Sequence, residues 1–286
     1  MSRARSSAPV LARWAGAAAL AGWAAGCAGG KLDAGHDNPR DACAAADAPP
    51  RCSPLLDGLV GHWRLDDGTG STMAVDSSRR RNDGVLHGLD PSTAWVGGRS
   101  LGALQTAHAG WVQVAPSPSI DTIVDRITVA AWVDLEAPVT APDNFGTALS
   151  RQIGTSQDQY YHLSLFLGKP TVFITTQAGY VSPGAPDAVP LNTWIHLAGT
   201  YDGAMVRLYV NGTEVASEAQ TGMFMHDSTP VILGGNGNDA SGVPTELFPG
   251  RLDELMLYSR AIGADEIAQL AAGAAFPGAT ADAGTD

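Results

Sequence analysis

The sequence predicts an all-β fold, an antiparallel β-sandwich with one short C-terminal helix. Two patterns and one feature of the composition carry that expectation. Apolar residues alternate in three stretches: Ile127, Val129, Ala131, Val133 and Leu135; Ile195, Leu197 and Tyr201; and Val206, Leu208 and Val210. Successive side chains leave a strand on opposite faces, so this spacing marks strands with one face on a core. Asp202-Gly203 and Asn211-Gly212 follow the second and third stretches. These dipeptides accept the positive φ of two-residue hairpin turns. The 34 glycines and 18 prolines among 286 residues suit a turn-rich β fold better than a helical one.

The chain opens on a segment that is not part of that fold. Arg3, Arg5 and Arg13 form a basic n-region, and Ala15 to Ala25 is an apolar run too short to span a bilayer stably. Residues 1–26 are therefore read as a signal peptide. Its end, Ala24-Ala25-Gly26-Cys27, resembles a bacterial lipobox, with Ala24 where that motif usually has Leu. The resemblance implies a lipidated Cys27; a plain secretory signal is the alternative. Two acyl chains on one cysteine suffice for stable anchoring. Cys43 and Cys52 then remain as an even pair in a compartment where disulfides persist. Their loop of about ten residues would be constrained by roughly 2–3 kcal/mol; two free thiols are the alternative. Residues 27–57, rich in Ala, Asp, Gly and Pro, read as a flexible linker.

The sandwich is expected over residues 58–272. Leu59 to Leu65 is the opening strand, and polar turns follow at Asp66-Asp67-Gly68, Val75-Asp76-Ser77-Ser78 and Asn82-Asp83-Gly84. Trp111 to Val114 is a short strand, and Ile127 to Leu135 a central one with Trp132 on its opposite face. Ala148 to Arg151, Tyr160 to Leu167 and Thr171 to Thr176 continue as strands, with His162 and Ser164 facing away from Tyr161, Leu163 and Leu165. Gly179 to Pro190 reads as a loop. Val231 to Gly235 leads into a Gly/Asn-rich loop, and the run Phe248 to Ile262 holds the closing strand. Ala264 to Ala272 is a helix, with Gly263 as N-cap, Glu266 at N3, and Ile267 and Leu270 spaced to dock on a sheet. Residues 273–286 read as a disordered tail.

Several of these stretches carry a family pattern. Trp194, His196, Ala198, Tyr201, Asp202, Gly203, Tyr209, Val210, Asn211 and Gly212 match the hallmark hairpin of the laminin-G-like jelly rolls, the concanavalin A-like sandwiches. Trp95, Gly98, Gly102, Ala103, Leu104 and the run Phe248 to Ile262 resemble the same family in the right order. The chain departs from it at Arg79-Arg80-Arg81, where the family often has Gly and Asn. The resemblance implies the jelly-roll fold. It leaves function open, since this sandwich hosts lectins, adhesion modules, enzymes and scaffolds.

Residue chemistry narrows the function. A formal charge of −12 disfavours nucleic acid and anionic lipid as partners, so membrane contact is expected only through the lipid. A glucanase on this fold would carry Glu-x-Asp-x-x-Glu on one strand; Asp253 and Glu254 are adjacent instead, pointing to opposite faces of a regular strand. No His-Glu-x-x-His occurs, and His196 reads as a packed histidine. The family resemblance implies a structural Ca2+ site from Asp76, Asn82, the Gly84 carbonyl and Asp253. Asp253 shares strand parity with Leu255 and Leu257, so it should face the core and need a partner. Capping of loop amides, or an ion pair with one of Arg79 to Arg81, is the alternative. The expectation is thus a non-enzymatic cell-envelope lipoprotein whose sandwich binds a glycan or an extracellular, cell-surface protein. Phe145, Tyr160, Tyr180 and Phe224 are candidate stacking rings. A structural module without a ligand, and a degenerate carbohydrate-active enzyme, are the rival readings.

Overall fold

The computed structural model describes residues 53–107, 110–141, 144–152, 159–225, 229–237 and 243–274. The signal segment, Cys27, Cys43, Cys52 and residues 275–286 lie outside them. Along the chain run β1 (Leu59–Trp63), β2 (Met73–Ala74), β3 (Gly84–His87), β4 (Trp95–Ser100), β5 (Gly102–Gln105), β6 (Trp111–Val114), β7 (Ile127–Leu135) and β8 (Phe145–Gln152). Then come β9 (Gln159–Phe166), β10 (Lys169–Thr176), β11 (Gly179–Val181), β12 (Trp194–Tyr201), β13 (Met205–Val210), β14 (Thr213–Ala219), β15 (Val231–Leu233), β16 (Gly250–Tyr258) and helix α1 (Ala264–Ala271).

The strands make two eight-stranded antiparallel sheets, the sandwich expected of a jelly roll. The first runs β14-β13-β12-β7-β16-β5-β4, with β1 also paired to β16. The second runs β11-β10-β9-β8-β15-β6-β3-β2. Between them lie the inward residues of both, among them Val129, Ala131, Val133 and Leu197 against Leu163, Leu165, Val172 and Leu233. First and last strands meet directly, with Trp63 opposite Leu255. The stretch after Gly179, expected as a loop, begins with the three-residue edge strand β11.

All nine residues of β7 are buried, because both its faces are covered. The inner face meets the second sheet. The outer face carries Ala130, which joins Ala198, Met256 and Tyr258 in a second apolar cluster beneath Ile262, Ile267 and Leu270. An eight-residue helix is marginal alone, so α1 depends on this docking; burying Ile267 and Leu270 contributes roughly 1.5–3 kcal/mol each. Glu266 accepts the Gly263 N–H at 2.9 Å, closing the expected capping interaction.

The two turn dipeptides behave differently. Asn211 (φ 49°) and Gly212 (φ 82°) are both left-handed, as a two-residue hairpin requires. Asn211 also ties the hairpin to β12: its Oδ1 accepts the His196 N–H and its N–H donates to the His196 carbonyl. At the other turn only Gly203 is left-handed. Asp202 instead acts as a cap, its Oδ1 accepting the N–H groups of Ala204 and Met205.

Candidate functional site

The outer face of the first sheet holds the site. From β7 it presents Trp132 and from β12 His196, paired across the ladder. From β16 it presents both Asp253, opposite Trp132, and Met256, opposite Ala130. That is possible only because a β-bulge sets two residues of β16 against one of β7, with Glu254 left-handed at φ 49°. Asp253 therefore does not share a face with Leu255 and Leu257, as strict alternation implied. Nor does Glu254 point away: the bulge turns it toward His62, which lies opposite Met256.

Helix α1 covers one part of this face and leaves a cavity of about 300 Å³ beside its C-terminal end. Trp132, His196, His62, Glu254, Arg64, Arg99 and Ser100 line it, with Leu270 and Ala272 to Ala274 on the helix side. His62 Nε2 lies 2.5 Å from Glu254 Oε2. Arg64 pairs with Asp66 at 2.8 Å and reaches Glu254 at 3.9 Å. The Arg99 guanidinium stacks 4.7 Å from the centre of the Trp132 ring. Among the described residues no carboxylate lies within ion-pair distance of it.

Burial lowers the pKa of His196 to about 4, so the ring is neutral at physiological pH. It stands edge-on to Trp132 at 5.4 Å, and its Nδ1 has no hydrogen-bond partner. Asp253 lies beneath the cavity, fully buried. Burial pushes its carboxyl up to about 7, against the lowering effect of the Ser100 N–H, which donates to Oδ2 at 2.9 Å; the nearby Glu254 charge raises it further. Oδ1 has no partner. The cavity thus combines an indole, a neutral imidazole, an engaged carboxylate and two guanidinium groups, a set suited to holding a polar molecule with apolar faces.

Residues 106–268 match the Laminin_G_3 family, described as the concanavalin A-like lectin/glucanases superfamily. The chain belongs to that superfamily. No curated protein matches it in sequence. Among solved structures, the concanavalin A-like domain resembles domain 4 of AbnA, a GH43 extracellular arabinanase from Geobacillus stearothermophilus, in complex with arabinotriose. The TM-score is 0.56 and the identity 21%, over 74% of this chain and 98% of that one. The binding domain of Paraclostridial Mosquitocidal Protein 1 is similar at TM-score 0.55 and 19% identity, over 76% of this chain and 52% of that one. The receptor-binding domain of a botulinum neurotoxin mosaic serotype C/D gives 0.57 and 15%, over 77% and 51%. At these identities the likeness is one of fold.

The residues expected to hold calcium do not assemble as a ligand set in this concanavalin A-like domain. Asp76 spends both oxygens on four donors. Oδ1 accepts the N–H groups of His62 and Ser78, and Oδ2 accepts the Ser78 hydroxyl and the Asn82 N–H, all at 2.8–2.9 Å. Asn82 Oδ1 accepts the Ser117 hydroxyl at 2.6 Å, and its amide donates to the Val60 carbonyl. Gly84 is a packing position, since a Cβ there would sit 2.3 Å from a Val112 methyl. Asp253 is on the outer face with Ser100. Among the described residues, no three His, Cys, Asp or Glu side chains are grouped to hold a metal. Oxygens already saturated by N–H and O–H donors do not fit a hard cation. Arg79, Arg80 and Arg81 are exposed and make no ion pair with Asp253. Arg79 (φ 73°) and Arg81 (φ 60°) keep the left-handed backbone that Gly or Asn would hold at less cost.

The candidate stacking rings separate as well. Tyr160 and Phe224 are core residues, stacked on each other at 4.8 Å. Tyr180 is exposed on β11. Phe145 joins Phe166 and Phe173 at 4.9 and 5.8 Å in a groove of about 290 Å³ on the outer face of the second sheet, where Lys169 is the only charged lining residue among the described residues. His162 lies under Phe173, buried, and neither ring nitrogen has a hydrogen-bond partner among the described residues; burial lowers its pKa to about 3. The cavity beside α1 escaped the sequence reading because β1, β4, β7, β12 and β16 each give it one or two residues. The outward parity of Trp132 and His196 was the one local signal.

Proposed function

We propose that the domain binds a carbohydrate, without turning it over, in the cavity beside α1. The observation that carries this reading is the lining itself. An indole and an imidazole offer apolar ring faces and edges, and planar charged groups around them can hydrogen-bond hydroxyls. The volume of about 300 Å³ suits one or two sugar rings. Arabinotriose in the arabinanase domain is in keeping with it. Asp253 is buried and Glu254 is engaged by His62, so the lining offers no free carboxylate pair for glycoside hydrolysis. Lipid on Cys27 would present the domain at the cell envelope; Cys27→Ser should then release the protein from the detergent phase, and unchanged partitioning would refute the anchor.

Ala272 is exposed at the mouth of the cavity. On a glycan array the full-length protein should give a defined set of binders, and Ala272→Trp, which fills the mouth, should abolish them. Phe166→Ala in the other groove should leave them intact. No binder at all, or binding lost only with Phe166→Ala, would favour the second reading, a partner-association module. The apolar groove of Phe145, Phe166 and Phe173 is the observation on its side.

A further inference from the structure

The charges around the cavity are not balanced. Glu254 is engaged from two sides, by His62 at 2.5 Å and Arg64 at 3.9 Å, and Arg64 has a second partner in Asp66. Arg99 has none among the described residues. Its guanidinium carbon lies 4.7 Å from the centre of the Trp132 ring, a contact that places its N–H donors at the rim of the cavity. In a protein of formal charge −12, an unpaired arginine at the rim of a cavity is a local exception.

Two further observations concern the ligand side. His196 lines the same cavity and is buried and neutral, so it adds no positive charge. Trp132 supplies a ring for the apolar face of a pyranose. The place beside Arg99 therefore calls for a planar anion, and the place beside Trp132 and His196 for a sugar ring. A carboxylate fits a guanidinium through two parallel hydrogen bonds.

We infer that this cavity selects an acidic sugar, a uronate or sialate residue whose carboxylate pairs with Arg99 while its ring lies against Trp132 and His196. This rests on the carbohydrate reading above and narrows it to a chemical class.

The test is calorimetric titration of the full-length protein with trigalacturonate, a hyaluronan tetrasaccharide and 3′-sialyllactose, each beside its methyl-esterified twin. At least one acid should bind tenfold or more tighter than its ester, and the difference should shrink as salt is raised. Arg99→Gln should erase the difference while leaving the melting temperature unchanged. Arg99→Lys should keep part of it. If no acid is preferred over its twin while neutral glycans bind on the array, the acidic class is wrong and the carbohydrate reading stands. If the preference survives in Arg99→Gln, the carboxylate is read elsewhere. If neither acids nor neutral glycans bind, both readings fall.

Discussion

Asp253 bears a cost that its neighbours do not remove. Its folded pKa, about 7, lies above that of an unfolded aspartate, so the folded chain holds an extra proton between about pH 4 and 7. Stability is then full below about pH 4, falls as pH climbs toward 7 and levels off above. Asp253→Asn keeps an acceptor for the Ser100 N–H and cannot ionise. Its advantage over the parent should grow from pH 4.5 to pH 8, by up to about 4 kcal/mol in thermal denaturation; parallel melting curves at the two pH values would refute this. Asp76 is the contrasting case, a carboxylate with every lone pair in use. A chelator should leave the melting temperature unchanged, whereas Asp76→Ala should cost roughly 2–3 kcal/mol by stranding the buried N–H groups of His62 and Asn82. A chelator-induced drop would restore the metal.

Helix α1 and the Asn211-Gly212 turn are one unit in space. A Cβ on Gly212 would lie 3.2 Å from Ala268 Cα and 3.2 Å from Ala271 Cβ, so the turn forms part of the floor on which the helix rests. Gly212→Val should destabilise by at least ~1 kcal/mol through its backbone alone. It should also raise amide exchange across residues 264–271; faster exchange confined to the hairpin would show that the two elements are independent. Elements of this kind were legible in the sequence. Alternation over Ile127 to Leu135 and the Asn-Gly pair are local patterns whose meaning does not depend on what lies opposite. The bulge at Glu254 was not, because nothing in Leu252-Asp253-Glu254-Leu255 distinguishes an inserted residue from a regular strand. That one irregularity reversed the facing of Asp253. The cavity stayed hidden for a related reason: Arg99 meets Trp132 only after β4, β5, β16 and β7 have lined up.

At the scale of the whole molecule, β16 lies at the centre of its sheet, between β7 on one side and β5 and β1 on the other. A chain ending at Pro249 should show no cooperative thermal transition. One ending at Ile262 should retain a transition at lower temperature, having lost α1 alone; a cooperative melt for the shorter chain would show that β7 and β1 need no partner between them. The position of β16 also bears on how the protein is made. The ribosome delivers the central strand nearly last, after every other strand has emerged. Until then β1 has no partner and the edge of β7 stands open, so the growing chain cannot close its own core. Such late closure keeps the growing polypeptide threadable until its synthesis is nearly complete.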